Sequence, residues 1–284
     1  MKDSPNSYVS MAIKDFQCFG SSTTREFTDK AKYLDRDFLN QTAILCIDIL
    51  RATTTMTVAV AAGCEGIHLV IKPTGGEYEL TPPLLPHKNW IFGGEENGLP
   101  IPGGMLNNSP LSIQPDQLVG KWLKFYSTNG AKSLTAIADL QVGAVFLVSL
   151  ANIESTLDAI KARGFTRYWI VGAGFYQSPA LEDTVCGGRI IQTLLERQDL
   201  CLDALDDGAR IMCHTSAPYQ GQDDLLIQDL YHSQVAKLLC NIGRCEDVPA
   251  CINGTGIPSS LWERMTHAVI HLEYIDGTPI LISR

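Results

Sequence analysis

The stretch Ala43-Ile44-Leu45-Cys46-Ile47-Asp48-Ile49-Leu50-Arg51-Ala52-Thr53-Thr54-Thr55 decides the fold. Residues 43–49 are apolar apart from Asp48, and a short apolar run closed by polar residues reads as a buried strand. Thr53–Ala62 can follow as a helix that stops at Gly63. The same unit recurs. Gly66–Ile71, Asn89–Phe92, Lys121–Tyr126, Gly143–Ser149 and Tyr168–Val171 are further strand candidates, and Asn152–Arg163 and Pro179–Arg197 carry helical spacing. Strands at that rhythm with helices between them predict an α/β fold with a largely parallel sheet. Lys72–Lys88 reads as a long surface loop, and Gly93–Gly104 as a Gly-rich segment after the third strand. Ser178-Pro179 reads as the N-cap and first residue of the helix that follows. Val269–Tyr274 and Pro279–Ser283 flank Asp276-Gly277, a hairpin signal. The 284 residues read as a single compact unit. A division into two similar lobes near residue 150 stays open.

Composition excludes several classes. Hydrophobic residues make up 45% of the chain, too many for disorder, and its 24 Gly and 14 Pro have no period, so it is not collagen-like. The net charge is −9, which opposes binding to a phosphate backbone, so no nucleic-acid partner is expected. No run approaches the ~20 apolar residues of a membrane span. The first residues, Met1–Ser7, lack the apolar stretch of a signal peptide. The nine cysteines are odd in number and form no CxxC pair, which reads as reduced thiols in a cytoplasmic protein. Cys240, Cys245 and Cys251 form the one cluster, at spacings that suit zinc poorly.

An acidic protein that takes an anion must supply positive charge locally. In parallel α/β sheets ligands gather beyond the carboxyl ends of the strands. The segments placed there are Asp48–Thr55, Gly93-Gly94-Glu95-Glu96-Asn97-Gly98, Asn107-Asn108-Ser109-Pro110, Ser127-Thr128-Asn129-Gly130 and Leu181–Gly188. Together they offer carboxylates, an Arg, hydroxyls, amides and glycines. Carboxylates without His or thiolate partners suit a hard cation such as Mg²⁺, and a hard cation with Arg and backbone amides suits phosphoryl transfer. Taken singly, each has a plain structural reading. Asp48 can cap the helix after it, Ser127–Gly130 can be a turn, and Glu182 and Asp183 suit the first turn of a helix. Their joint placement after successive strands carries the functional reading.

Other machinery is missing. There is no GxxxxGK[ST], GxSxG or HExxH, and Gly172-Ala173-Gly174 lacks the third glycine of a dinucleotide fingerprint. His267 and His271 read as two outward positions of an apolar segment. Cys186 lies three and four residues after Asp183 and Glu182, whose charges oppose a thiolate, so it reads as a close-packing neutral thiol.

These segments resemble the 2-phosphosulfolactate phosphatase family. The matching pieces are Asp48-Ile49-Leu50-Arg51-Ala52-Thr53-Thr54, Gly93-Gly94-Glu95, Asn97-Gly98 with Ile101-Pro102-Gly103, Asn108-Ser109-Pro110, Ser127-Thr128-Asn129-Gly130, and Leu181-Glu182-Asp183 with Cys186 and Gly188. The likeness thins beyond residue 200, where only Gly243 and Asp247-Val248-Pro249 fit. The resemblance implies a three-layer α/β/α fold and Mg²⁺-dependent hydrolysis of (2R)-2-phospho-3-sulfolactate to 3-sulfolactate and phosphate. The chain departs from the family pattern at Met105, where an acid is usual, at Glu96, where an Arg is usual, and at Ala131, where a Thr is usual.

The expected site follows. Asp48, Glu182 and Asp183 hold Mg²⁺ directly or through water. Arg51 grips the phosphate or sulfonate as a fork. Ser127, Thr128 and Asn129, with amides of Gly93, Gly94 and Gly130, take the phosphoryl oxygens, and Asn108, Ser109 and Cys186 complete the substrate-binding set. Glu95 orients the attacking water. The expected partner is a small phosphorylated or sulfonated organic acid; a homodimer stays open. A closely related small phosphorylated hydroxy acid stays open as the substrate, and the alternative is a catalytically impaired anion-binding or regulatory protein on the same scaffold, suggested by Met105 and Glu96.

Overall fold

The computed structural model describes residues 16–70, 72, 76–78, 88–140 and 142–283. Met1–Ser7 and most of the Lys72–Lys88 loop lie outside the described residues.

β2 (Thr42–Ile47) is buried along its whole length. Ala43, Leu45 and Ile47 join one apolar layer, and Ile44 and Cys46 join the other, because successive side chains on a strand take opposite faces. A strand apolar on both faces needs helices on both. The neighbours of β2 are β7 (Ala144–Val148) and β8 (Arg167–Gly172), both parallel to it, and β1 (Cys18–Ser21) lies parallel to β8. A second parallel block contains β3 (Gly66–Leu69), β6 (Trp122–Tyr126) and β4 (Trp90–Glu96), with the short β5 (Leu99–Pro100) antiparallel at its edge. The antiparallel hairpin of β9 (Ile270–Ile275) and β10 (Thr278–Ser283) joins the blocks, β9 pairing with β7 and β10 with β3. The result is one ten-stranded sheet, ordered β1-β8-β2-β7-β9-β10-β3-β6-β4-β5. Across the division considered near residue 150, β8 pairs with β1 and β2. The hairpin turn is the expected one: Asp276 and Gly277 take φ of 50° and 77°, which a two-residue turn of this hand requires.

Twelve α-helices surround the sheet among the described residues. They are α1 (Thr24–Ala31), α2 (Arg36–Asn40), α3 (Ala52–Ala61), α4 (Pro115–Leu118), α5 (Gly130–Ala138), α6 (Ile153–Ala162), α7 (Leu181–Glu196), α8 (Asp207–Ser216), α9 (Asp223–Leu230), α10 (Gln234–Asn241), α11 (Asp247–Asn253) and α12 (Ser259–Thr266). Met56 and Val58 of α3, Leu134 and Ile137 of α5, and Leu261 and Met265 of α12 fill one layer. Leu157 of α6, Ile190 and Leu194 of α7, Met212 of α8 and Leu226 of α9 fill the other. This is the three-layer α/β/α arrangement expected. None of these helices is long and apolar enough to cross a membrane.

α7 and α8 touch through a residue without a side chain. A Cβ at Gly188 would collide with the Met212 carbonyl and the Ser216 hydroxyl. Gly188→Ala is therefore an overpacking change, expected to cost about 1–3 kcal/mol. Urea denaturation should show a lower midpoint with an unchanged slope; an unmoved midpoint would mean the two helices part freely.

Four expectations are corrected. The third strand does not end at Phe92; it runs through Gly93, Gly94 and Glu95 to Glu96, because a bare Gly93 lets Leu106 pack against the strand, 2.8 Å from where a Cβ would stand. α7 begins at Leu181 without a side-chain cap, since Ser178 is taken by a turn with Phe175 through reciprocal backbone bonds of 2.8 and 3.0 Å. His271 is buried, bonded to Arg163 and to Glu273, whereas His267 is exposed. Cys240 and Cys245 form a disulfide, against the reading of reduced thiols throughout, while the other seven cysteines are free.

Candidate active site

β2 ends at Ile47, so the chain leaves the sheet at Asp48 and turns into α3. The Leu50–Arg51 peptide is cis. Asp48 closes the turn from both sides: its amide donates to Thr53 Oγ1 (3.2 Å), and its carbonyl accepts from the Thr53 amide (2.8 Å). Its carboxylate accepts from the amides of Ala52 and Gly130. Gly130 heads α5, and a Cβ there would stand 2.6 Å from Asp48 Oδ2 and from Ala52 Cβ. The glycine of Asn129-Gly130 thus lets the start of α5 press onto the Asp48 carboxylate. The capping reading of Asp48 and the functional one describe the same atoms.

Asp48, Glu182 and Asp183 are all buried. Burial pushes the Asp48 carboxyl up to about 6, helped by the Glu95 charge. Burial and then Asp48 push Glu182 up to about 7. Asp183 is raised well above its ordinary value by burial, then by Asp48, then by Glu182. Asp48 is thus near enough to raise both other acids, while Glu182 lines a cavity beside Phe175 and Val235 that Asp48 does not line. Asp183 is held by the Ile49 and Gly174 amides, both at 3.1 Å. It ties the turn after β2 to the turn after β8. Glu182 Oε2 is buried without a partner.

A pocket of about 40 Å³ opens beside Asp48 and is lined also by Arg51, Glu95, Asn108, Thr128 and Asn129. In this measure that is room for about three waters. Asn108 Oδ1 is buried and unpartnered. Glu95 accepts from the Gly98 amide (2.6 Å), the Thr128 amide (2.6 Å) and Thr128 Oγ1 (3.1 Å). One carboxylate thereby fixes two loops.

Other expected residues stand one step back from the pocket. Ser127 Oγ accepts from the Ala131 amide (2.7 Å) at the start of α5. The Gly94 amide donates to the Leu106 carbonyl (3.0 Å), and Gly93 lies within β4. Cys186 is buried among the apolar side chains under α7, and burial, then Asp183, push its thiol far up. Glu96 is turned to Lys72 and Tyr78, at 2.6 and 3.0 Å. Those hydrogen bonds, led by Lys72, hold its carboxyl below the usual range. Met105 is 62% exposed. None of the three departures from the family pattern, Glu96, Met105 and Ala131, is among the residues lining the pocket.

Arg51 is buried, and its guanidinium is partly committed. It donates to Asp247 Oδ2 (2.7 Å) and to the Gly98 carbonyl (3.1 Å). Asp247 also accepts from Ser109 Oγ (2.5 Å). Two of the five guanidinium donors are therefore used, while the side chain still lines the pocket. Asp247, at the head of α11, is the residue that reasoning from the sequence missed as part of the site. Its only signal was the Asp247-Val248-Pro249 likeness. Val235, Leu238 and Leu239 of α10, which wall the pocket, gave no signal beyond apolarity.

Among the described residues no three His, Cys, Asp or Glu side chains group closely enough to ligate one ion directly. The donors nonetheless fit a hydrated hard cation. Such an ion takes one or two carboxylates and keeps several waters, and here buried carboxylates raise one another and Glu182 Oε2 lacks a partner.

The chain belongs to the 2-phosphosulpholactate phosphatase family, whose model matches residues 29–258. A relative from Thermosynechococcus vestitus is 33% identical over 207 residues, 73% of this chain and 83% of its own length. One from Cyanothece sp. is 31% identical over the same shares, and one from Nostoc punctiforme is 29% identical over 73% of this chain and 82% of its own. Each carries the name "Probable 2-phosphosulfolactate phosphatase". The family name describes phosphoric monoester hydrolases.

Proposed function

We propose that this protein hydrolyses (2R)-2-phospho-3-sulfolactate to 3-sulfolactate and phosphate with Mg²⁺. The observation that carries the reading is the pocket at the ends of β2, β4 and β6, where Asp48 meets Asn108, Thr128, Asn129 and Arg51. Asp48 and Glu182 would hold the ion, through water where they do not reach it, and Asp183 keeps the two turns in place. When bound, the ion supplies positive charge at the phosphoryl oxygens. Asn108 and Asn129 offer side-chain amides to those oxygens, and Arg51 offers its uncommitted donors. Glu95 has accepted three hydrogen bonds, and a carboxylate has about four acceptor positions. The fourth orients the attacking water and takes its proton. The water oxygen bonds to phosphorus as the ester P–O bond breaks; the sulfolactate oxygen leaves with the bonding pair and takes a proton from solvent to become the hydroxyl, and Glu95 returns its proton to solvent. Thr128 is the one serine, threonine or cysteine among the described residues lining the pocket, and its Oγ1 donates to Glu95 (3.1 Å); with Glu95 assigned to the water, direct attack needs no phospho-enzyme and is the simpler course. The anion-binding alternative loses its support, because Met105 and Glu96 do not line the pocket.

Phosphate release from phosphosulfolactate, with Mg²⁺ and with a chelator, is the test. Turnover that needs the ion is expected; no turnover under either condition would overturn the reading.

A second prediction concerns pH. For a buried acid whose folded pKa is raised, the folded state binds more protons. The stability cost is absent below the unfolded value and complete above the folded one. With chelator present, the melting temperature should therefore fall as pH rises from about 4 to about 7, the window set by the ordinary carboxyl value and the raised Asp48 and Glu182 values. Mg²⁺ should restore stability on the alkaline side. Thermal melts across that range read it directly, and a curve flat in pH and indifferent to Mg²⁺ would remove the ion from the site.

A further inference from the structure

The inner pocket is too small for a substrate that bears a phosphoryl, a carboxylate and a sulfonate group. Its lining includes the carboxylates Asp48 and Glu95, and its one cation among the described lining residues, Arg51, is already paired with Asp247. A second cavity, of about 300 Å³, lies beside it and shares Thr128, Asn129 and Tyr176 as walls. Its character is opposite. Arg25 and Lys132 line it, and no acidic side chain is among its described lining residues. Thr24 also lines it, and Thr24 Oγ1 is buried without a partner. Arg25 donates to Gln177 Oε1 (3.0 Å) and lies 3.8 Å from Asp29, a contact between largely exposed side chains. Such a pair is worth little and is readily given up. Lys132 sits 5.9 Å from the centre of the Tyr126 ring.

Resting on the phosphatase reading, we infer that this outer cavity is the sulfonate subsite: Lys132 and Arg25 hold the distal anion while the phosphoryl end enters the inner pocket beside Asp48. Lys132 serves as a strongly hydrated point charge, and Arg25 as a planar fork for two sulfonate oxygens. The division of charge explains how a protein of net charge −9 takes a multiply charged anion. Arg25 and Lys132 line the outer cavity and the carboxylates of Asp48 and Glu95 the inner one, while the acids nearest the two cations, Asp29 and Glu96, line neither. Arg25 and Lys132 are thereby specificity-determining residues for the length and charge of the substrate.

Steady-state kinetics on two substrates test this. One is 2-phospho-3-sulfolactate; the other is 2-phospholactate, which keeps the phosphoryl and carboxylate groups and lacks the sulfonate. Lys132→Ala and Arg25→Ala should each raise KM for the sulfonated substrate about tenfold, the usual size of a lost hydrogen bond to a charged group. KM for 2-phospholactate should stay as in wild type, and Lys132→Arg should recover most of the loss. Equal losses on both substrates, or none on either, would overturn the assignment and leave the phosphatase reading standing. If wild type turns over neither substrate, the phosphatase reading has failed instead. Calorimetric titration of 3-sulfolactate then decides the subsite: binding to wild type that Lys132→Ala loses upholds it, and binding equal in both or absent from both sinks it.

Discussion

Asp48→Asn should abolish phosphatase turnover while the protein stays folded. The substitution keeps the shape of the side chain and a carbonyl oxygen to accept from the Ala52 and Gly130 amides. It removes the charge on which an ion at the site depends. Losing several kcal/mol of charge stabilisation in the transition state corresponds to a fall in kcat/KM on the order of 10³-fold. The variant should melt at or above the wild-type temperature in chelator at neutral pH, because a buried carboxylate that repels its neighbours has become neutral. Loss of activity together with loss of fold would mean that Asp48 serves the turn alone. Wild-type activity would remove it from the mechanism.

Asp247→Ala is expected to have the largest effect on stability. Asp247 and Arg51 face each other at 2.7 Å with side chains 0% and 3% exposed. Removing the acid leaves a buried guanidinium unpaired and Ser109 Oγ without its acceptor. Breaking one partner of such a pair costs about 3–5 kcal/mol, a drop in melting temperature on the order of 10 °C for a chain of this size. The paired replacement Arg51→Met with Asp247→Leu should recover much of that stability, since neither charge of the pair remains, yet stay inactive. A single variant as stable as wild type would show that water reaches the guanidinium and that the pair is not sealed.

What could be read from the sequence was what short-range pattern encodes. The run from Ala43 to Asp48 and the threonines after it define a strand, a turn and a helix within thirteen residues, and the structure places them so. The Asp276-Gly277 turn was legible for the same reason. Asp48, Asn108, Thr128 and Asn129 could be picked out because strand ends in a parallel sheet converge on one rim. What failed was tertiary. The pairing of Arg51 with Asp247 spans 196 residues, and no local period reports it, so Arg51 looked like an uncommitted fork. β4 looked finished at Phe92 because two glycines resemble a loop, and only contact with Leu106 shows why they belong to a strand. His271 looked outward because its partners, Arg163 and Glu273, come from a helix end and its own strand. The Cys240–Cys245 link spans five residues, and a spacing that suits zinc poorly carries no local mark of a bridge.

The hairpin of β9 and β10 has a bearing on how the molecule comes into being. It is synthesised after every strand it joins, yet it sits mid-sheet, with β7 on one side and β3 on the other. A nascent chain can assemble each parallel block beforehand, but β7 and β3 then present raw edges, open to pairing with another chain. Ile280 and Leu281, both fully buried, act as the keystone that closes this gap. Protection against self-association on the ribosome therefore waits for the hairpin, and a stop codon placed before residue 270 would leave two unfinished half-sheets rather than a slightly shorter enzyme.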